Sequence, residues 1–492
     1  MVRGKQVNEY DVILLGSGAA GLLTATLLAK RGLSVLLLKE RAFQPSCMRE
    51  GYQFVPFSSL SEKCLPLSLL NRLARVVGFS FSGASGQEEG TIPVSEDPVK
   101  AEIAYQVVLP RSRVDLFRDR SLLEREWKRE FPGELKRIER LHDDLGRLVQ
   151  PLNITELSRG GSEGLFSRLW AFLRKSYFPE PHLDFSAHSR EFEKFLQLQM
   201  TSWGGFSGDR FPLSLAGHLL KHDDSNRWVS DVDSESVKAS LLDHYLETGG
   251  KVEEVEGVER VDRGWRKGFA LSLQGTSRIL RSRFLVLNAP LHRLPGFQGK
   301  RGKQLATRSS TVVPRYILVP IFMALRENVV PVGMRDLLVS LADLDKPYEA
   351  GNLLLIALSK KGDETAAPRG RRAMVVQSLI PARDWDEDIP VHHQNAVTKH
   401  LTELFPFLEN YIEFTDWSWG EKNARCWSYP HYFYEATPDF RWRDGIVPRR
   451  ISKNLYFTGR ENFPYLGVEG EILSGFSAAQ EILKKYSWSP TD

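Results

Sequence analysis

The feature that most constrains the fold is a strand, glycine turn, helix and strand pattern near the start of the chain, "DVILLGSGAAGLLTATLLAKRGLSVLLL". The run from Asp11 to Leu15 is short and apolar, as is typical of a strand buried in a parallel sheet. Three glycines follow, and then an Ala- and Leu-rich segment that ends at Gly32, a typical helix C-cap. A second apolar run, Ser34 to Leu38, completes a pattern that predicts the opening of a βαβ unit.

The glycine turn predicts a phosphate-binding site. Gly16 permits a tight turn, Gly18 lets the backbone approach a pyrophosphate, and Gly21 lets the helix pack closely on the strand. The helix N-terminus offers unpaired N–H groups and the positive end of a dipole. We therefore predict cofactor contacts from Gly16, Ser17, Gly18, Ala19, Ala20 and Gly21. The alternative is a glycine turn in an α/β unit that holds no ligand.

The end of the second strand departs from the usual dinucleotide site. An acid is expected there to bind the ribose hydroxyls, but the register places Lys39 at that position and Glu40 one residue later. Adjacent strand residues point to opposite faces, so Glu40 reaches the ribose only if the strand is locally distorted. We predict this distortion, because an ammonium group has no acceptor for a hydroxyl. Two alternatives stay open: Lys39 binds the 2′-phosphate of NADP, or it is solvated in a register shifted by one.

Composition excludes several classes of protein. The 492 residues are enough for two or three domains, and a net charge of +4 gives no indication of nucleic-acid binding. The cysteines, Cys47, Cys64 and Cys426, lie far apart and predict neither a disulfide framework nor a zinc site. No metal-binding spacing is present among the histidines. No apolar run reaches the about 18–20 residues that span a bilayer, so we expect a cytoplasmic protein.

Four segments resemble the phytoene desaturase and retinol saturase-like branch of the FAD-dependent amine oxidase superfamily. They are the glycine unit, Gly51–Phe54, Ser236–Asn288 and Asn454–Leu483, together about a third of the chain. The last one, "NLYFTGRENFPYLGVEGEILSGFSAAQEIL", is similar to the C-terminal flavin signature of the family. A protein that binds only NADP has no need of this returning segment, so the resemblance implies FAD as the cofactor.

The resemblance also implies further cofactor contacts. Val258 matches a position that touches the adenine, and Asn288-Ala289 matches a short motif after the last Rossmann strand. In the C-terminal segment, Gly459 would let the backbone approach the ribityl phosphate. A helix beginning near residue 468 would direct its N-terminal dipole at the flavin. The C-terminal residues expected to contact FAD are Gly459, Arg460, Gly467, Val468, Glu469 and Gly470.

The implied fold class is α/β plus α+β, with a Rossmann-type, glutathione-reductase-like FAD-binding domain and a discontinuous substrate domain. We expect the FAD-binding domain to use residues 1–75, 205–300 and 440–492, and the substrate domain to use 76–204 and 301–439. This arrangement requires Gly16 and Gly459 to lie within two strand spacings of each other, at about 4.8 Å each.

The implied function is FAD-dependent oxidation or reduction of C–C bonds in an apolar, isoprenoid- or carotenoid-like substrate, by a desaturase, saturase or isomerase. The redox partner is an unidentified electron acceptor or donor. Two alternatives remain: an amine or alcohol oxidase of the same superfamily, and a degenerate flavoprotein that serves as a non-catalytic subunit. The second is open because Arg41–Ser46 lacks the Gly-Gly pair usual in the family.

Other segments bear on the substrate. The aromatic residues between 417 and 442 are suited to lining a tunnel near a flavin, although such clusters usually form core. The aromatic segment Leu165–Phe178, with interspersed basic residues, suits peripheral contact with the inner face of a membrane or, alternatively, packing over the substrate cavity. No catalytic side chain is identified, since the flavin itself exchanges the hydride. His292 and His431 are candidate acid/base groups, and Cys47 is a candidate redox-active thiol near the cofactor, although residues of these kinds more often have a structural role.

Overall fold

The computed structural model describes most of the chain. Described are residues 7–43, 45–78, 103–117, 119–148, 182–183, 185, 188–208, 211–220, 228–229, 232–263, 268–289, 312–385, 389–423, 426, 429, 431–436 and 450–487. The aromatic segment Leu165–Phe178 and His292 therefore lie outside the described residues.

The described chain forms helices and strands in alternating groups. The helices are α1 (Ala19–Ala29), α2 (Leu67–Val77), α3 (Arg120–Glu130), α4 (Leu135–Leu148), α5 (Arg190–Gly204), α6 (Leu213–Leu220), α7 (Ser234–Glu247), α8 (Val391–Leu404), α9 (Trp419–Asn423) and α10 (Gly467–Ser487). The strands up to residue 300 are β1 (Val7–Leu15), β2 (Val35–Glu40), β3 (Cys47–Arg49), β4 (Tyr52–Phe54), β5 (Leu65–Pro66), β6 (Ile103–Val108), β7 (Arg113–Phe117), β8 (Phe206–Ser207), β9 (Trp228–Val229), β10 (Lys251–Val255), β11 (Val258–Arg263), β12 (Phe269–Leu273) and β13 (Ile279–Leu287). The later strands are β14 (Val312–Arg326), β15 (Leu337–Leu341), β16 (Leu353–Leu358), β17 (Arg371–Pro381), β18 (Ile412–Asp416), β19 (His431–Ala436), β20 (Arg450–Ser452) and β21 (Leu455–Phe457).

The first sheet brings together strands from three distant parts of the chain. Its order is β10-β2-β1-β13-β12-β11, and β21 pairs with β13. The central pairs, β10–β2, β2–β1, β1–β13 and β13–β21, are parallel, while β11, β12 and the start of β13 form an antiparallel meander. The central strands are buried on both faces: one set of alternate residues packs with α1, α2, α7 and α10, and the other set joins the main core.

The dispersed cofactor segments therefore meet in one sheet, as predicted. Gly16 follows β1 and Gly459 follows the end of β21, and both strands pair with β13. Two strand spacings separate them, which agrees with the predicted limit. The FAD-binding fold is thus present, whereas the exact domain boundaries remain predictions.

The second sheet has nine strands and carries the remaining core. Its order is β7-β6-β15-β16-β17-β14-β19-β8, with β18 also paired to β14. Strand β14 is fifteen residues long and pairs with β17 along one edge, and with β19 and β18 in turn along the other. The short β8, at residues 206–207, belongs to this sheet.

Helices α1 and α10 cross at very short range. The added Cβ of an alanine at Gly475 would lie 2.4 Å from the carbonyl oxygen of Ala20, so only glycine permits this approach. The Thr24 hydroxyl donates to the Gly475 carbonyl at 3.0 Å. Ten of the eleven α1 residues are buried, which is why the segment is apolar all round. This crossing places residues 471–475 of α10 beside the first turn of α1.

The chain after α7 forms two strands of the first sheet. Lys251–Val255 is β10, and Val258–Arg263 is β11, because the chain turns at Gly257 and β11 pairs with β12. Among the described residues, no helix is both long and apolar enough to cross a bilayer. Nor do their His, Cys, Asp and Glu side chains form a group suited to a metal ion.

Candidate active site

The glycine turn packs against a single residue at the end of β13. Gly16 has φ +98°, and a Cβ there would lie 2.1 Å from the Asn288 carbonyl oxygen. The Gly18 amide donates to Asn288 Oδ1 at 2.8 Å, and Asn288 Nδ2 donates to the Thr458 carbonyl at 3.1 Å. Asn288, chosen from the resemblance, thus joins the ends of β1, β13 and β21. Because Gly16 and Gly18 have no side chain, Asn288 packs directly against the glycine turn.

The start of α1 has the backbone that a diphosphate needs. Gly18 is the N-cap residue and supplies no capping side chain, and Gly21 permits the tight turn, since a Cβ there would lie 2.7 Å from the Gly16 carbonyl. Ser17 is partly exposed and Ala19 is buried. The Ala20 amide, however, donates to Glu471 Oε1 at 3.2 Å. The backbone fits the diphosphate of FAD, and one protein carboxylate contacts the same donors.

The end of β2 runs without the predicted distortion. Its register with β10 is regular through Lys39 opposite Glu254 and Glu40 opposite Val255. Lys39 is half-exposed and pairs with Glu254 at 3.3 Å, while Glu40 is buried. The two side chains therefore lie on opposite faces, as ordinary strand alternation requires. The expected strand distortion is wrong, and a contact between either residue and the ribose remains a prediction.

The other residue implied to lie near the adenosine half belongs to the meander. Val258 opens β11 opposite Leu273, is half-buried and packs against the main core. A register shift follows it, between residues 258 and 260. Ala289, directly after Asn288, is buried.

The C-terminal segment forms a strand, a loop and a helix, as predicted. Helix α10 begins at Gly467, whose φ is +55°, one residue before the predicted start. The Val468 amide donates to Ser61 Oγ at 3.1 Å, and Glu469 contacts His218 Nε2 at 2.8 Å. Gly470 is required by packing, since a Cβ there would lie 2.3 Å from the Phe463 carbonyl.

The loop before α10 is tied to the N-terminal half of the chain. Gly459, at φ +138°, donates its amide to Ser474 Oγ at 3.1 Å. Arg460 donates to Glu62 Oε1 at 3.0 Å and to the Ser58 carbonyl at 3.0 Å. These bonds place the strand β21, the start of α10 and the turn at residues 58–62 around one region.

A cavity of about 70 Å³ lies next to this region, between the second sheet and the loops and helix α7 that adjoin the first sheet. Its lining comes from the N-terminal loop, from α7 and from the second sheet with α9. The described lining residues are Phe43, Pro45, Pro56, Phe57, Ser58, Glu62, Glu235, Lys238, Leu318, Pro320, Gln377, Trp419, Tyr429 and His431. We call it the intersheet pocket.

The charged groups of the intersheet pocket are paired. Lys238 Nζ donates to Glu235 Oε1 at 2.6 Å, and Glu62 pairs with Arg460. Burial opposes ionisation of Glu62, but the positive charges of Arg460 and Lys238 hold its pKa below the usual value. Burial lowers the pKa of His431 to about 4, so its imidazole is neutral at neutral pH. The lining thus contributes two carboxylates, one ammonium and a neutral ring.

Aromatic rings form one wall of the pocket. Trp419 and Tyr429 lie edge to face with centroids 5.3 Å apart, and the Tyr429 hydroxyl donates to the Leu318 carbonyl at 3.0 Å. Within the described part of the chain, Trp419 Nε1 and Gln377 Oε1 are buried without a hydrogen-bond partner. An unmet donor and an unmet acceptor therefore belong to side chains of the same pocket.

The pocket is lined by some of the residues singled out in the sequence and by others that were not. Of the predicted aromatic cluster, Trp419 and Tyr429 line it, Phe433 and Tyr434 are core, and Trp427, Phe440 and Trp442 lie outside the described residues. His431 lies in the pocket, whereas Cys47 does not line it. Sequence reasoning missed four charged and amide side chains of the pocket, Glu62, Glu235, Lys238 and Gln377, because they come from three separate elements and belong to no motif. It also did not single out Glu471, although this residue lies within the C-terminal segment that resembles the flavin signature.

Comparison with known proteins agrees with this geometry. The sequence profile of the flavin-containing amine oxidoreductases matches residues 95–483. A solved putrescine oxidase variant is similar in fold, with a TM-score of 0.58 at 14% identity over 98% of this chain and 100% of the other.

Two further solved structures are similar. Cyclohexylamine oxidase from Brevibacterium oxydans has a TM-score of 0.53 at 15% identity, and the match covers 97% of this chain and 99% of the other. An oxidoreductase from Methanosarcina mazei has a TM-score of 0.54 at 14% identity, and the match covers 96% of this chain and 100% of the other. At these identities the likeness concerns the fold. No curated protein matches the chain significantly.

Proposed function

The chain belongs to the flavin-containing amine oxidoreductase family and is an FAD-dependent oxidoreductase, and from this we propose that it oxidises a compact amine bound in the intersheet pocket. This choice favours the amine oxidase alternative over the C–C chemistry of the phytoene desaturase branch. The observation that carries it is the small, carboxylate-containing lining of the pocket.

FAD, when bound, supplies a hydride acceptor at its ring. The residues positioned to hold it are the turn at 16–21, Asn288 and the segment from Gly459 to the start of α10. The intersheet pocket adjoins this last segment through the Glu62–Arg460 pair. A substrate in the pocket would thus lie beside the flavin-binding part of the fold.

The electrostatics of the pocket suit a cationic substrate. Glu62 and Glu235 place two carboxylates in the lining, each paired with one cation, Arg460 and Lys238, and the neutral ring of His431 adds no positive charge. The faces of Trp419 and Tyr429 attract cations through their quadrupoles, worth about 0.5–2 kcal/mol depending on exposure. The unmet Gln377 Oε1 is an acceptor of the kind that an amine N–H requires.

The second candidate is an apolar substrate oxidised or reduced at a C–C bond. It is supported by eight apolar or aromatic residues among the fourteen that line the pocket. A cavity of about 70 Å³ is nevertheless small for a long polyene, since ligand pockets usually measure about 300–1,000 Å³. Contact with a membrane surface and the identity of the electron acceptor stay open under either candidate.

Amine oxidation is tested by measuring peroxide release from FAD-loaded protein with primary and secondary amines of increasing size. Trp419→Phe replaces the indole by a smaller ring that attracts a cation less strongly, so we expect the KM for an active amine to rise by about ten-fold, or about 1.4 kcal/mol, with the protein still folded. Trp127→Phe is the matched control, because Trp127 is buried in α3 away from this pocket.

Two results would contradict the proposal. One is a complete lack of amine turnover together with reduction of the bound flavin by an isoprenoid alkene, which would establish the second candidate. The other is an active amine whose KM is the same in Trp419→Phe as in the parent protein, which would place the substrate elsewhere.

A further inference from the structure

We propose that Glu471 is a built-in competitor for the diphosphate of FAD, so that cofactor binding requires its carboxylate to leave the start of α1. The observation behind it is the hydrogen bond from the Ala20 amide to Glu471 Oε1 at 3.2 Å. The inference rests on the FAD requirement of the family and is independent of whether the substrate is an amine.

The position of Glu471 follows from the helix crossing. Residues four apart lie on the same helix face, so Glu471 lies one turn before Gly475, the point where α10 touches α1. Its side chain therefore reaches the first turn of α1. A Cβ added to Gly18 would lie 2.9 Å from Glu471 Oε1, which shows that the carboxylate is also next to the glycine turn.

The carboxylate occupies the kind of place that a phosphate group needs. The first N–H groups of a helix have no partner within the helix, and with the dipole they attract an anion. Asn288 already accepts from Gly18, and Glu471 accepts from Ala20. A diphosphate on this turn would need the Ala20 donor, and it would also meet a like charge at contact distance. One of the two anions has to give way.

Several charged groups act on Glu471, and they come from three other elements. Lys238 of α7 and Arg460 lower its pKa, and so does the hydrogen bond from Ala20, whereas Glu62 raises it. Burial is the largest influence, and the pKa is raised overall. A proton on Glu471 would remove the charge that opposes a diphosphate and would leave an O–H donor in its place.

Two consequences follow for the holoenzyme. FAD binds more weakly than the glycine turn alone would allow, and the protein therefore exchanges its cofactor readily. The affinity is highest at pH values where Glu471 is protonated, and it falls as the pH rises through the raised pKa of this residue.

The test measures FAD binding to the full chain by isothermal titration calorimetry and by quenching of flavin fluorescence. ADP, which has the diphosphate but no flavin, is titrated in the same way by calorimetry. Glu471→Ala is expected to bind both ligands at least about ten-fold more tightly at pH 8, about 1.4 kcal/mol. Glu471→Gln retains an acceptor for Ala20 without the charge, and it should bind FAD more tightly with little pH dependence. Glu481→Gln is the matched control: it removes the same charge about 15 Å further along α10, and it should bind like the parent.

Unchanged FAD and ADP binding in both Glu471 variants would overturn the proposal. Weaker binding in both would overturn it as well and would show that Glu471 supports the cofactor. Circular dichroism separates this outcome from misfolding, and the isosteric Glu471→Gln keeps the test decisive if Glu471→Ala fails to fold. Failure of the amine screen has no bearing here, because ADP binding is measured without any turnover.

Discussion

Replacing Gly475 by alanine tests how closely helices α1 and α10 approach each other. The added Cβ would lie 2.4 Å from the Ala20 carbonyl oxygen and 2.9 Å from its Cα, and both are backbone atoms that cannot rotate away. Helices α1 and α10 must therefore separate. Separation also weakens the 3.0 Å bond from Thr24 to the Gly475 carbonyl.

The free-energy terms have opposite signs. Alanine is a better helix former than glycine by about 0.8–1.0 kcal/mol. Overpacking of a buried contact costs about 1–3 kcal/mol, and a lost hydrogen bond costs about 1 kcal/mol more. We expect Gly475→Ala to lower the free energy of unfolding by about 2 kcal/mol.

Equilibrium unfolding in urea, followed by circular dichroism, measures this change. Gly133→Ala is the control, because a Cβ at Gly133 meets nothing within 4 Å and the residue lies outside the helices. A Gly475→Ala protein as stable as the parent would show that the crossing is looser than described, and it would also weaken the placement of Glu471.

Two further predictions concern buried polar groups. Asn288→Ala removes the bonds to Gly18 and Thr458, and it should lower the free energy of unfolding by about 2 kcal/mol or more in the same urea assay; an unchanged midpoint would contradict it. Burial, with a smaller contribution from the neighbouring histidine, lowers the pKa of His393 to about 4, below the ordinary 6.5. The unfolded chain therefore binds this proton more readily, and stability is lost as the pH falls from about 6.5 towards 4. In His393→Gln that part of the pH dependence should disappear, and an identical pH profile in parent and variant would contradict it.

Local sequence determined the parts of the fold that need few partners. Apolar runs bounded by glycine predicted β1, α1 and β2, because burial and turn geometry act within a few residues, although β1 begins at Val7, four residues before the predicted Asp11. The start of α10 was also predicted to within one residue. The likeness of both ends to flavin-binding segments predicted that β1 and β21 share a sheet, which they do through β13.

The contents of the site depended on long-range contacts and could not be predicted in the same way. Glu471 and Ala20 are 451 residues apart, and their contact arises only because Gly475 lets α10 touch α1. The intersheet pocket likewise combines α7 with β14 and α9. The predicted distortion of β2 was wrong because strand pairing with β10 keeps Glu40 in register, whatever a ribose would require.

The strand pairing of β14 is interrupted on one edge, and this affects how insertions or deletions would alter the pocket. It pairs with β19 through residues 312–318 and with β18 through residues 322–325, so Pro320 lies at the break between the two partners, and it also lines the pocket. Proline has no amide to donate, which disfavours a continuous strand across this break. The chain between β18 and β19 contains Trp419 and Tyr429. Insertions or deletions there would reshape the cavity while leaving the paired residues of β14 untouched, so substrate range can diverge in this fold without loss of its hydrogen-bonded frame.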